Sequence, residues 1–186
     1  DPALELLPEL AGQREQIIEI ARRFRRAIHP SRMPLPSAGI QSFVWLVALV
    51  AAISGCAKSV PTPDGDILGA LQLPQATADT IFDPGALRGK PTLVMFASPS
   101  CGYCAKELPI AHKLTTAEGV NMAVVYVKSK KPAALAAAKA GGYDGVVLID
   151  GDGTLSRKYE IQGVPYTLIL GADGHAKKAF RGLQEE

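Results

Sequence analysis

From about Ala76 onward, apolar and polar positions switch between two periods. Thr92-Leu93-Val94-Met95-Phe96-Ala97 is a short apolar run suited to a strand buried on both faces. The segment from Cys101 to Leu114 then takes on helical spacing, and Val120 to Val127 predicts a second buried strand. Pro132 to Ala140 reads as an alanine-rich helix stopped by Gly141-Gly142. Val146 to Ile149 predicts a third strand and Leu155 to Tyr159 a short helix. Tyr166 to Leu170 and Ala176 to Arg181 flank Gly171-Ala172-Asp173-Gly174, a hairpin signal. Strand, helix, strand, helix, strand and a terminal hairpin make an α/β pattern with a mostly parallel sheet. No internal repeat is present.

The first 75 residues follow other patterns. Leu4, Leu7 and Leu10, then Ile17, Ile20, Ala21 and Phe24, recur largely at three and four, as on an amphipathic helix, with Pro8 confining its regular part. Arg22, Arg23, Arg25 and Arg26 close that pattern. Residues 1–37 are read either as an N-terminal extension or as upstream sequence read through before a start at Met33. Ile40 to Ile53 is nearly all apolar, shorter than the ~20 residues of a spanning helix but of the length of a signal-peptide core. The tetrapeptide that ends it, Ile53-Ser54-Gly55-Cys56, resembles the lipobox of bacterial lipoproteins. Residues 38–56 are therefore expected to be a lipoprotein-type signal peptide or membrane anchor, with Cys56 lipidated. A buried helix and an uncleaved anchor are the alternatives. Residues 57–75, holding Pro61, Pro63, Gly65 and Pro74, read as a flexible tether to a domain over 76–186. The chain opens on Asp1 and stops at Glu186 just after a strand, so it reads as a fragment clipped at both ends.

Composition narrows the classes. With 20 Lys and Arg against 18 Asp and Glu, a formal charge of +2 supplies no field for nucleic acid, and no such partner is expected. The three cysteines divide into one and two: Cys56 alone, and the C-x-x-C of Cys101 and Cys104.

Cys101-Gly102-Tyr103-Cys104 follows a buried strand and opens a helix, the context in which a C-x-x-C becomes a redox candidate. Unpaired N–H groups and the dipole at a helix start stabilise a thiolate, so Cys101 should titrate below ~8.5 and act as nucleophile. Cys104, one turn in, is the resolving thiol. Zinc needs four ligands, and His29, His112, His175 and Cys56 supply no second pair at useful spacing. Haem attachment wants histidine after the second cysteine, where Ala105 stands. A structural disulfide enclosing two residues constrains little of the unfolded chain. No metal and no other cofactor is expected. Asp150-Gly151-Asp152-Gly153 hints at a calcium loop but has Ile161 at position twelve, so it reads as a turn with solvated carboxylates. His112 and His175 read as surface residues. Glu107, three residues after Cys104, shares its helix face. Partly buried, it would relay the proton Cys104 must lose; otherwise it is a solvated charge.

Leu87-Arg88-Gly89-Lys90-Pro91, then Phe96 through Pro109 around the cysteine pair, then Tyr159 through Thr167 and the Asp173-Gly174 turn resemble the TlpA/ResA group of membrane-anchored thioredoxin-like reductases. The resemblance runs from roughly Thr80 to Gly182. It departs at Ser100, where the group usually has Trp, and at Tyr103, where it often has Pro; the Cys-Gly-Tyr-Cys tetrapeptide is similar to periplasmic disulfide isomerases. The resemblance implies a thioredoxin-like α/β fold, a central mixed sheet flanked by helices. It implies that Pro165 is a cis-proline packed beside the cysteines, with Val164 pairing to substrate backbone and Gly102 and Tyr103 lining the site, and it gives Glu107 the relay role. It further implies reduction of disulfides in exported proteins at the bacterial cell envelope, cytochrome c maturation among its uses, with a thioredoxin-like electron donor as partner. The rivals are an envelope isomerase or oxidase, and an anchored binding or metal-delivery module without turnover.

Overall fold

The computed structural model describes residues 60–182, together with Arg22 alone. The expectations for residues 1–37 and 38–56, Cys56 included, lie outside the described residues.

The elements are β1 (Thr92–Ala97), α1 (Gly102–Glu118), β2 (Asn121–Val127), α2 (Lys131–Ala140), β3 (Val146–Asp150), α3 (Thr154–Lys158), β4 (Tyr166–Leu170) and β5 (Ala176–Arg181). The strands form a five-stranded sheet in the order β3-β2-β1-β4-β5. β1 pairs parallel with β2, Thr92 opposite Asn121, and antiparallel with β4, where Met95 faces Thr167. β2 and β3 pair in parallel, β4 and β5 antiparallel. The sheet is thus mixed rather than mostly parallel, because the terminal hairpin folds β4 against β1 itself.

Every residue of β1 is buried, as a central strand requires. Its side chains sort by the two-residue period of a strand. Leu93, Met95 and Ala97 join a cluster with Cys104, Leu108 and Ala111 of α1 and Ala134 and Ala138 of α2. Val94 and Phe96 join the opposite cluster with Ile67, Leu68, Leu71, Phe82, Leu87 and Leu155. Helix α1 runs past Leu114 to Glu118, where Gly119 turns the chain at φ 65° and donates its N–H to the Thr115 carbonyl.

That second cluster corrects the tether expected over 57–75. Ile67, Leu68 and Leu71 are fully buried, and the Leu68 N–H bonds the Gly174 carbonyl at 3.1 Å. Gly69 N–H and the paired Arg88 guanidinium hold the Asp66 carboxyl below its usual range. Ala76 N–H then reaches the Val147 carbonyl (2.8 Å) and Ile149 N–H the Pro74 carbonyl (3.0 Å) beside β3. Contact starts earlier still: Val60 packs against the cluster, and the Tyr166 hydroxyl donates to the Pro61 carbonyl at 3.2 Å. The prolines and Gly65 punctuate this segment, yet its three apolar side chains have a sheet face to cover.

The carboxylates of the Asp150–Gly153 turn also differ from expectation. Asp150 is buried and accepts from the Leu155 and Ser156 N–H groups at 3.0 and 2.9 Å, satisfying donors at the start of α3. Asp152 alone is exposed, bonding Thr154.

Candidate active site

The end of β1 delivers the chain to the start of α1. A turn closes the gap, Cys101 N–H donating to the Ser98 carbonyl at 3.1 Å, and the Ser98 and Ser100 hydroxyls lie 3.1 Å apart. Cys101 is the N-cap of α1 in extended conformation, φ −89° and ψ 105°. Its sulfur takes the place of the usual capping oxygen and accepts the Cys104 N–H at 3.1 Å. The two cysteines are joined as a disulfide, their Cα atoms 5.2 Å apart. Cys101 is half-buried, whereas Cys104 is 4% exposed and belongs to the core cluster under the helix. The accessible and shielded members of the pair are therefore distinct.

Gly102 and Tyr103 form the exposed lip of the first turn. The Tyr103 ring is 39% exposed, with the Lys106 ammonium 5.7 Å from its centroid, within cation–π range. A Cβ added at Gly102 would meet nothing within 4 Å, so that position stays open.

The loop before β4 closes the other side. The Val164-Pro165 peptide is cis, and the Cys101 sulfur lies 3.7 Å from the Val164 carbonyl oxygen. Pro165 is buried, and its own carbonyl accepts the Gly182 N–H at 2.8 Å, tying the loop to the end of β5. This contact brings together Cys101 and the residue before the cis-proline, 63 positions apart in sequence.

One helical turn after Cys104 on α1 stands Glu107, 2% exposed. Burial pushes its carboxyl up from the ordinary range, against a hydrogen bond from the Thr167 hydroxyl to Oε1 at 2.8 Å. Oε2 is buried with no hydrogen-bond partner. A solvated Glu107 is thus excluded. A buried carboxyl that keeps its proton above the usual range, with one free oxygen, is equipped for proton transfer.

Thr167 is the residue that sequence reasoning missed. In the sequence it stands as a strand residue and as the end of the Tyr159–Thr167 stretch of the resemblance; its link to Glu107 spans 60 positions and leaves no local pattern. His112 stacks edge-on against Tyr143, its centroid 5.1 Å away, and His175 lies half-exposed beside Asp173; neither approaches the pair in any contact found. Among the described residues, no three His, Cys, Asp or Glu side chains gather as a metal-holding group.

Set beside known proteins, residues 59–186 match the family model described as Redoxin. Over 88 residues the chain is 30% identical to the methylamine utilization protein MauD of Methylobacillus flagellatus, covering 46% of this chain and 41% of that protein. The chain spans well under half the length of the curated relatives it matches. The fold is similar to that of a secreted Mycobacterium tuberculosis disulfide oxidoreductase homologous to Escherichia coli DsbE, with a TM-score of 0.52 and 24% identity over 57% of this chain and 81% of that one. It is also similar to the thioredoxin domain of a Bacteroides vulgatus thiol-disulfide oxidoreductase, with a TM-score of 0.55 and 18% identity over 67% and 91%. At these identities the structural likenesses establish a thioredoxin-like fold.

Proposed function

The chain belongs to the Redoxin family, and from that premise we propose that it is a thiol-disulfide reductase of exported proteins, working through Cys101 and Cys104. The observation that carries the reading is the Cys101 sulfur itself. It caps α1, accepts the Cys104 N–H and sits 3.7 Å from the carbonyl of the cis-Pro165 loop, half-exposed above a buried partner.

The geometry supports a definite order of events. In the reduced protein the helix-start N–H groups favour the Cys101 thiolate, the nucleophile. It attacks a substrate sulfur, forming a mixed disulfide and releasing the other substrate sulfur as thiolate. Val164 presents backbone to an extended substrate, and Tyr103 and Gly102 border the entrance. Cys104 gives its proton to Glu107 and attacks Cys101, displacing the reduced substrate and closing the Cys101–Cys104 disulfide. A thioredoxin-like donor dithiol at the envelope resets the pair.

Export is supported by the secreted mycobacterial relative and by the apolar run ending at Cys56. No helix among the described residues is long and apolar enough to cross a membrane; the anchor in this reading is a lipid on Cys56, for which the lipobox-like Ile53-Ser54-Gly55-Cys56 speaks. Maturation of a redox protein, cytochrome c or the methylamine system named for the MauD relatives, is the use this reading favours. A second reading, disulfide isomerase or oxidase, draws on the Cys-Gly-Tyr-Cys tetrapeptide.

The test is a redox titration together with dithiothreitol-dependent insulin reduction. A midpoint near about −270 mV with insulin turnover supports a reductase; one near about −120 mV assigns an oxidant instead. Cys104→Ala should accumulate mixed disulfides through Cys101, since no thiol remains to resolve them. A Cys104→Ala protein that traps nothing, with no insulin turnover by the wild type, would leave a binding module.

A further inference from the structure

Thr167 is fully buried on β4, paired across the sheet with Met95 of β1 and Phe180 of β5. Directly paired residues share a sheet face, and Met95 lies in the cluster under α1 that contains Cys104. Its hydroxyl therefore points to the helix side, where it donates to Glu107 Oε1 at 2.8 Å while Oε2 is left unpartnered. A threonine hydroxyl has one proton to give. Oε1 accepts that proton whether Glu107 is ionised, with both oxygens acceptors, or neutral, with Oε1 the carbonyl oxygen.

We propose that Thr167 is the positioning residue of the relay: it holds Oε1 as a permanent acceptor, so that Oε2 alone takes the proton from Cys104. The proposal rests on Glu107 being the relay. The Cys104 S–H bond breaks, its proton forms a bond to Oε2, and the sulfur's electron pair attacks Cys101. The Cys101–substrate bond then breaks, and its electron pair leaves on the substrate sulfur.

Thr167 also bears on when Glu107 is ionised. Its hydrogen bond to the carboxylate opposes burial, the larger influence on this group. The other titrating groups on this side are Cys101 and Cys104 at the start of α1, Tyr126 of β2, whose buried phenol is pushed up to about 12, and Tyr143 beyond α2, whose phenol is also raised by burial and on which His112 of α1 packs edge-on. β1, through Leu93, Met95 and Ala97, places no charge at this face of the sheet, whereas β5 carries beside Phe180 the exposed Lys178, paired with Ile169.

Thr167→Val removes the donor while keeping shape and strand preference, and Thr167→Ser restores it. In the full chain, the Glu107 carboxyl is titrated by carbon NMR, its signal assigned by loss in Glu107→Gln. Single-turnover reduction of a model disulfide is followed over the same pH range. Thr167→Val should move the Glu107 midpoint upward and the rate profile with it, each unit cutting the reactive fraction about tenfold on the acid side. Thr167→Ser should coincide with the wild type, and Glu107→Gln should share one profile with Glu107→Gln/Thr167→Val. An unmoved midpoint in Thr167→Val overturns the role of Thr167. A midpoint that moves while every rate profile, Glu107→Gln included, stays on the wild type overturns the relay itself.

Discussion

Glu107 is a carboxyl kept out of water by the domain's own core, and its cost appears in the pH dependence of folding. Burial raises its folded-state pKa above that of the unfolded chain, Thr167 offsetting only part. Between the unfolded and the raised value the native state holds more protons, so stability declines as pH rises through that window. Below the unfolded value the group adds no penalty. Glu107→Gln keeps an acceptor for Thr167 and removes the charge, so its stability should stay level across the window in which the wild type loses about 1.4 kcal/mol per unit of pKa displacement. Urea unfolding of both proteins in buffers from pH 4 to 8 measures this. Parallel curves would mean that Glu107 titrates at an ordinary value. The cysteine pair was legible in the sequence because spacing, preceding strand and following helix all lie within a dozen positions. Val164 and Pro165 receive roles only through the resemblance, and Thr167, although it closes the matching stretch, receives none, because each becomes part of the site only when β4 is laid against β1.

Among the elements, those bounded by local signals emerge where the pattern puts them. Thr92–Ala97, Tyr166–Leu170 and Ala176–Arg181 are strands at the residues read from the sequence, since apolar runs and turn residues mark both ends. The segment from Asp66 to Gln75 was illegible for the opposite reason. Besides the local turn to Thr80, Ile81 and Phe82, its partners Gly174, His175 and Leu148 lie about seventy to a hundred and ten positions away, and its prolines advertise a linker. The packing has a measurable consequence. Leu68 is fully buried against the face of the sheet opposite α1, so Leu68→Ala should cost about 2–5 kcal/mol, as for a core leucine. In a tether the change would stay within about 0.5 kcal/mol. Equilibrium denaturation of the two proteins separates the cases, and the smaller value would return this segment to the linker. Because Leu68 lies across the sheet from the cysteines, the loss should fall on stability while the remaining folded protein still exchanges disulfides.

At the scale of the whole molecule, the packed segment changes what an anchor at Cys56 would do. Among the described residues, Val60 and Pro61 already contact the domain, and they stand four and five positions after Cys56 in the sequence. Four residue steps span at most about 14 Å, close to the ~13 Å radius of gyration of a domain this size. A lipid on Cys56 therefore holds the domain against the headgroups rather than on a long leash. The residue that fastens Pro61 is Tyr166, which packs in the cluster on the sheet face opposite the cysteines. Cys56→Ala should lose metabolic palmitate label and pass from the membrane to the soluble fraction. Its insulin reduction in detergent should equal the wild type's, because Cys56 contributes nothing to the exchange. Inserting a Gly/Ser linker of about ten residues after Cys56 should retain the label and the membrane fraction, lengthening the reach by roughly 17 Å as a flexible coil. Equal labelling of wild type and Cys56→Ala would remove the anchor, and with it the argument for a short leash.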